Sequence, residues 1–122
     1  MLEYQSLVDY LFELSAVRYA VVSDSVGGRV AGGMKQGIKP IGSPQAEAKL
    51  EIHAVLMLNM AETFEPDNGR LLFVSARWQN VVAVFFLLSS DRALTVTVNG
   101  DAPLQDLFKI EALVREWKSL HQ

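Results

Sequence analysis

The residues with a claim to chemistry are a glycine-rich run, two histidines, an aspartate after a strand, and a Trp–Arg pair. In the run from Gly27 to Gly37, Gly28 and Gly33 have the spacing of a phosphate loop. That loop needs G-x-x-x-x-G-K-[ST], because backbone N–H groups and the lysine together cradle the phosphates. Met34 stands at the lysine position, Lys35 comes one place late, and Gln36 is neither Ser nor Thr. These glycines therefore read as turn and bulge residues. His53 would need two or three further ligands to hold a metal, and Glu47 and Glu51 point to a different face of its helix. It reads as a hydrogen-bonding histidine at a core boundary, and His121 lies near the C-terminus. Asp24 follows the first strand, where receiver domains place a phosphorylated aspartate. That fold alternates parallel strands with helices, whereas hairpins are read here, so turn chemistry is the better account. Ser6, Ser15, Ser23, Ser75 and Ser89 lack a nucleophile-elbow motif. Trp78 beside Arg77 has the composition of a base-stacking pair, but a boundary Trp at a strand end is the commoner arrangement. No catalytic, cofactor-binding or metal-ligating set emerges.

Composition agrees. The chain has 122 residues, half of them apolar and a fifth charged, which fits one globular domain over residues 1–122. A net charge of −3 offers no basic footprint for nucleic acid. Cysteine is absent, which removes disulfides and thiolate chemistry and is compatible with a reducing cytoplasm. The opening MLEYQSLVDYLFEL has acidic residues within its apolar pattern and no basic lead-in, so no signal peptide is expected. The longest apolar run, Val81 to Leu88, is far short of the ~20 residues a membrane span needs. A cytoplasmic location without membrane insertion is expected.

The elements that must position any site centre on the stretch from Ser43 to Phe64. Ser43 is a good N-cap, Pro44 suits the first helical position, and Glu47 and Glu51 favour the positive end of the helix dipole. Ala46, Leu50, Ala54, Met57, Ala61 and Phe64 make one apolar stripe; Ala48, Ile52, Val55, Leu56 and Met60 make a second, roughly opposite. Two stripes require cover on two sides, a sheet on one and a second copy of the chain on the other. The short connector from Gln36 to Gly42 is the competing cover and offers only Ile38 and Ile41.

Around this helix the periodicity predicts an amphipathic helix over Leu2 to Ser15 and a hairpin of Arg18–Ser23 with Arg29–Lys35. Gly32 and Gly33 within that hairpin suggest a bulge or a close backbone approach. Arg70–Gln79, Val81–Leu88 and Ala93–Val98 read as three further strands. The middle one is apolar on both alternating sets and so is covered on both faces. A last helix spans Leu104 to Leu120, with Leu107, Phe108, Ile110, Leu113, Val114 and Trp117 inward. Short turns force antiparallel neighbours. The predicted fold is α+β: a five-stranded antiparallel sheet in the order α-β-β-α-β-β-β-α, the central helix on one face and the terminal helices on the other.

The hairpin VRYAVVSDSVGGRVAGG, set between an amphipathic first helix and a long central helix, resembles the roadblock/dynein-light-chain superfamily across essentially the whole chain. RYAVVSD with GRVAGGMKQGIKPI is similar, more closely, to an archaeal group of roadblock-like proteins. The first turn, DSVGG, and the connector before the central helix are longer than in that family. The resemblance implies a non-enzymatic homo- or heterodimer that scaffolds or regulates small Ras-like GTPases or motor complexes. It puts Leu71, Phe73, Ser75 and Arg77 on a strand that pairs edge to edge with the twin. Ile52, Val55, Leu56 and Met60 then fall in a helix–helix seam. The expectation is a cofactor-free homodimeric adaptor or regulator of a small GTPase. A monomeric profilin-like or longin-like module that binds a cytoskeletal or trafficking partner shares the order of elements, and a small-molecule sensor with a pocket between sheet and helix is a third class.

Overall fold

The computed structural model describes residues 3–121; Leu2, where the first predicted helix begins, lies outside them. Helix α1 runs over Tyr4–Phe12 and closes in tight turns, Leu14 N–H donating to Leu11 O at 3.0 Å and Val17 N–H to Leu14 O at 3.1 Å. Strands β1 (Val17–Asp24) and β2 (Arg29–Met34) form the predicted hairpin. Helix α2 covers Pro44–Glu62, where Ser43 accepts from the Ala46 N–H at 3.1 Å as the N-cap. The segment EPDNG, read as a simple break, contains a one-turn helix α3, Glu65–Asn68. Strands β3 (Val74–Arg77), β4 (Val81–Ser89) and β5 (Arg92–Asn99) follow, then helix α4, Leu104–His121.

All pairings are antiparallel, and the sheet order is β2-β1-β5-β4-β3. The first hairpin thus joins the meander through β1 and β5, from Val17↔Val98 to Asp24↔Arg92. The predicted fold class holds. Helices α1 and α4 cover one face with Leu7, Leu11, Ile110, Val114 and Trp117 packed on Val84, Phe86 and Val96. On the other face α2 sets Ala54, Val55 and Leu58 against Ala83, Phe85 and Ala93. Strand β4 supplies Val82, Val84, Phe86 and Leu88 to the first layer and Ala83 and Phe85 to the second, which is why both of its residue sets are apolar. In α4, Leu107, Ile110, Val114 and Trp117 are buried as expected. Phe108 is half-exposed, with its ring edge-on to Phe73 at 5.9 Å.

The third strand departs most from its predicted bounds. Strand β3 is four residues long rather than ten, because residues 70–73 leave the ladder before Val74. In the hairpin, Gly32 has φ +96°, and a Cβ there would lie 2.0 Å from the Ala20 carbonyl oxygen. The glycine is thus required by a close backbone approach and by its left-handed conformation together. Gly32→Ala is expected to destabilise the protein by about 1–3 kcal/mol, read as a fall in melting temperature of several degrees.

Candidate interaction surface

Helix α2 meets the sheet with Glu51, Ala54, Val55 and Leu58, an i, i+3, i+4, i+7 set. One member of this face is a carboxylate. Glu51 is only 2 % exposed, and it is satisfied from the hairpin. The Tyr19 hydroxyl donates to Glu51 Oε1, while the Arg29 guanidinium donates to the same oxygen at 3.1 Å and to the Tyr19 oxygen at 2.7 Å. The guanidinium also lies 5.7 Å from the centre of the Tyr19 ring. Burial, and the carboxylate it bonds, push the Tyr19 phenol well above its ordinary value. Sequence reasoning missed this constellation, having read Glu51 only as a helix-dipole charge. A signal existed, since Glu51 completes the helical face of Ala54, Val55 and Leu58.

About 130° round the helix lie Ala48, Ile52, Leu56 and Met60, spaced by four residues and all exposed. Ile52, Leu56 and Met60 are 47 %, 57 % and 69 % exposed, a continuous apolar flank in the chain taken alone. The β1–β2 turn approaches it at Ile52, where a Cβ on Gly27 would meet Ile52 Cγ1 at 2.5 Å. Asp24 builds that turn, accepting from the N–H groups of Val26 and Gly28 at 3.1 and 2.8 Å. The aspartate is therefore occupied as a turn residue.

Val55, expected on the free flank, is 9 % exposed and packs toward the sheet. The sequence pattern left Glu51 out of the sheet-facing stripe, which displaced that stripe, while Ala48, Ile52, Leu56 and Met60 of the second stripe are exposed together. Leu58, assigned to neither stripe, is wholly buried, whereas Ala46 and Phe64 of the first stripe are exposed. Of the strand residues, Leu71 and Phe73 precede β3; Phe73 packs on Phe86 in the layer of α1 and α4. Ser75 and Arg77 are exposed on β3, an edge strand. Arg77 donates to the carbonyls of Gly100 and Ala102 at 2.8 Å each, which commits it to the loop before α4 rather than to stacking with Trp78. His53 is exposed on α2 instead of standing at the core boundary. His121 stacks on Trp117 at 4.5 Å. Among the described residues no group of three His, Cys, Asp or Glu side chains is placed to hold a metal, and no helix is long and apolar enough to cross a membrane.

An open cleft of about 660 Å³ lies between α4, the far end of β4 and residues 70–72. Its walls carry Arg70, Arg115 and Lys118 on one hand and Glu62, Glu65 and Glu111 on the other.

No family model and no curated protein matches the chain. Solved structures do. A roadblock/LC7 domain from Streptomyces avermitilis is 14 % identical with a TM-score of 0.67, over 95 % of both chains. The gliding protein MglB from Thermus thermophilus is 12 % identical with a TM-score of 0.66, over 94 % of this chain and 87 % of that one. Acanthamoeba castellanii profilin IA is 16 % identical at a lower TM-score of 0.57, over 97 % and 98 %.

The Tyr19–Glu51–Arg29 contacts set a pH dependence. A raised phenol pKa means that the folded chain holds this proton more tightly than the unfolded one. Its stabilisation is therefore complete below about pH 10 and is lost as pH climbs toward the folded value. Tyr19→Phe is expected to cost about 1–3 kcal/mol at neutral pH, by depriving the buried carboxylate of a donor, and to flatten the alkaline loss of stability. Denaturant titrations between neutral pH and the onset of phenol ionisation in the unfolded chain, and beyond it, measure both. At these identities the likeness is one of fold, and the fold this chain carries is that of the roadblock/LC7 domains.

Proposed function

We propose that the protein is a non-enzymatic, cytoplasmic homodimer that acts as an adaptor or regulator of a small Ras-like GTPase. The observation that supports the pairing is the flank of α2. Ile52, Leu56 and Met60 stand on successive turns, each about half-exposed or more, and the β1–β2 turn lies beside Ile52. Large contiguous apolar patches on a monomer mark interaction sites. Strand β3 is an edge whose outer N–H and C=O groups face no strand of the same chain, so a twin can extend the sheet there by main-chain pairing. In this reading Ile52, Leu56 and Met60 form the helix seam, and Ser75 and Arg77 lie on the pairing strand. Val55 backs the seam from the sheet side, while Leu71 and Phe73 lead the chain into β3. The likeness to roadblock/LC7 and MglB structures supports the GTPase as partner, as the family resemblance of the hairpin does.

A monomeric profilin-like module is the competing reading, favoured by the profilin match. Mass in solution separates the two. The wild-type chain is expected to run as a dimer at micromolar concentration. Leu56→Glu with Met60→Glu is expected to give a folded monomer, because two charges would be buried in the seam at a cost of several kcal/mol. A wild-type monomer, or a double variant with unchanged dimer mass, removes this helix from the interface.

A further inference from the structure

The two faces of the sheet are covered unequally. On one, α1 and α4 bury Leu7, Leu11, Leu107, Ile110, Val114 and Trp117. On the other, α2 buries Ala54, Val55 and Leu58, with Leu50 and Met57 partly buried at the margin. Beneath α2, Ala83 and Ala93 accompany Phe85, and alanine side chains add little apolar burial. The same face carries two hydroxyls. Ser23 stands opposite Ala93 and Thr95 opposite Phe85, so both lie on the α2 side of the sheet. Both residues are wholly buried, and neither Ser23 Oγ nor Thr95 Oγ1 has a hydrogen-bond partner among the described residues. Docking α2 therefore strips water from two hydroxyls that gain nothing in return. The Glu51–Arg29 pair fixes how the helix is turned, but a buried pair adds little beyond offsetting its own desolvation.

We infer that α2 is a hinged lid, which lifts from the sheet as a unit while the rest of the fold stays intact. A glycine stands at each end of the segment that moves. Gly37, after β2, has φ +82°, and Gly69, before β3, has φ +85°. A Cβ at either would meet nothing within 4 Å, so these glycines serve the backbone's conformation rather than a close fit. Between them lie α2 and the one-turn helix α3. Arg18 donates to the Lys39 carbonyl at 2.8 Å, and the Leu71 N–H to Glu65 at 2.7 Å. Both ties lie within four residues of a hinge, where the movement is smallest. Lifting separates Glu51 from Tyr19 and Arg29, and water then solvates the carboxylate and the two hydroxyls. The lid's outer side is the flank of Ile52, Leu56 and Met60. A twin that meets this flank and the β3 edge together needs them in their closed relation, so pairing holds the lid shut. That consequence rests on the pairing proposed above; the opening is a property of the single chain and does not.

Native-state hydrogen exchange of the full chain compares the amides of α2 with those of β4 and β5, in the wild type and in Leu56→Glu with Met60→Glu. In the double variant, α2 is expected to exchange at least about ten-fold faster than β4 and β5 after correction for intrinsic rates. The wild-type α2 is expected to exchange more slowly than the variant's, because pairing closes the lid. Thr95→Val removes one buried hydroxyl at nearly constant shape and is expected to slow α2 exchange about five-fold in either background. Protection of α2 equal to that of β4 and β5 in the double variant overturns the proposal. So does a Thr95→Val chain whose α2 exchange is unchanged or faster. If the double variant folds poorly, the Thr95→Val comparison in the wild type decides. Equal masses for wild type and double variant remove the α2 seam and leave the lid standing, since its exchange test reads the single chain.

Discussion

The rotation of α2 about its own axis is the constraint on which the surface of this protein depends. Two unlike contacts hold it. Leu58 is wholly buried beneath the helix, a burial worth about 1.5–3 kcal/mol. Two turns earlier, Glu51 brings a carboxylate into the same interface, where it pairs with Arg29 and accepts from the Tyr19 hydroxyl. A roll of one residue, about 100°, would expose Leu58 and carry Glu51 away from its partners. An abandoned carboxylate at that depth costs several kcal/mol, so the apolar and polar contacts select a single orientation together. Ile52, Leu56 and Met60 point outward because of that selection, and not because of any property of their own.

The same contacts couple the hairpin to the helix. Tyr19 lies on β1 and Arg29 opens β2, so the polar cluster spans three elements. Gly27 lets the β1–β2 turn approach Ile52, and Gly32 lets β2 approach the Ala20 carbonyl. Hairpin and helix therefore meet at two points, one polar and one apolar. A partner that covers the flank of α2 would touch the turn as well.

The two edges of the sheet are unlike. Strand β2 accompanies β1 from Tyr19↔Met34 to Ser23↔Arg29. Strand β3 covers only the first half of β4, and the remainder is shielded by a lysine from α4. Short edge strands and charges set against an open edge are common means of preventing indiscriminate strand pairing. At this end of the sheet they leave an open edge along β3 and a recessed position along β4.

The order of elements, the antiparallel sheet and the burial of β4 on both faces were legible from periodicity and turn residues. Those signals are local, and nothing at longer range contradicts them. The exclusion of a phosphate loop was equally legible, since it turns on residue identity at Met34 and Gln36. Three features were not. The sheet-facing side of α2 was misread because a charged residue counts as solvent-facing until its partners are known, and those partners stand 22 and 32 residues away in the chain. The length of β3 depended on how residues 70–73 are drawn off by the packing of Phe73 on Phe86 and Phe108. The cleft beside it arises where two elements fail to meet, and an absence of contact leaves no pattern in a sequence. The residues by themselves determined which elements form and most of the free flank of α2, because helix and strand periods are written in near neighbours; only the tertiary structure decided that Glu51, Val55 and Leu58 face the sheet, because their burial depends on partners distant in the chain.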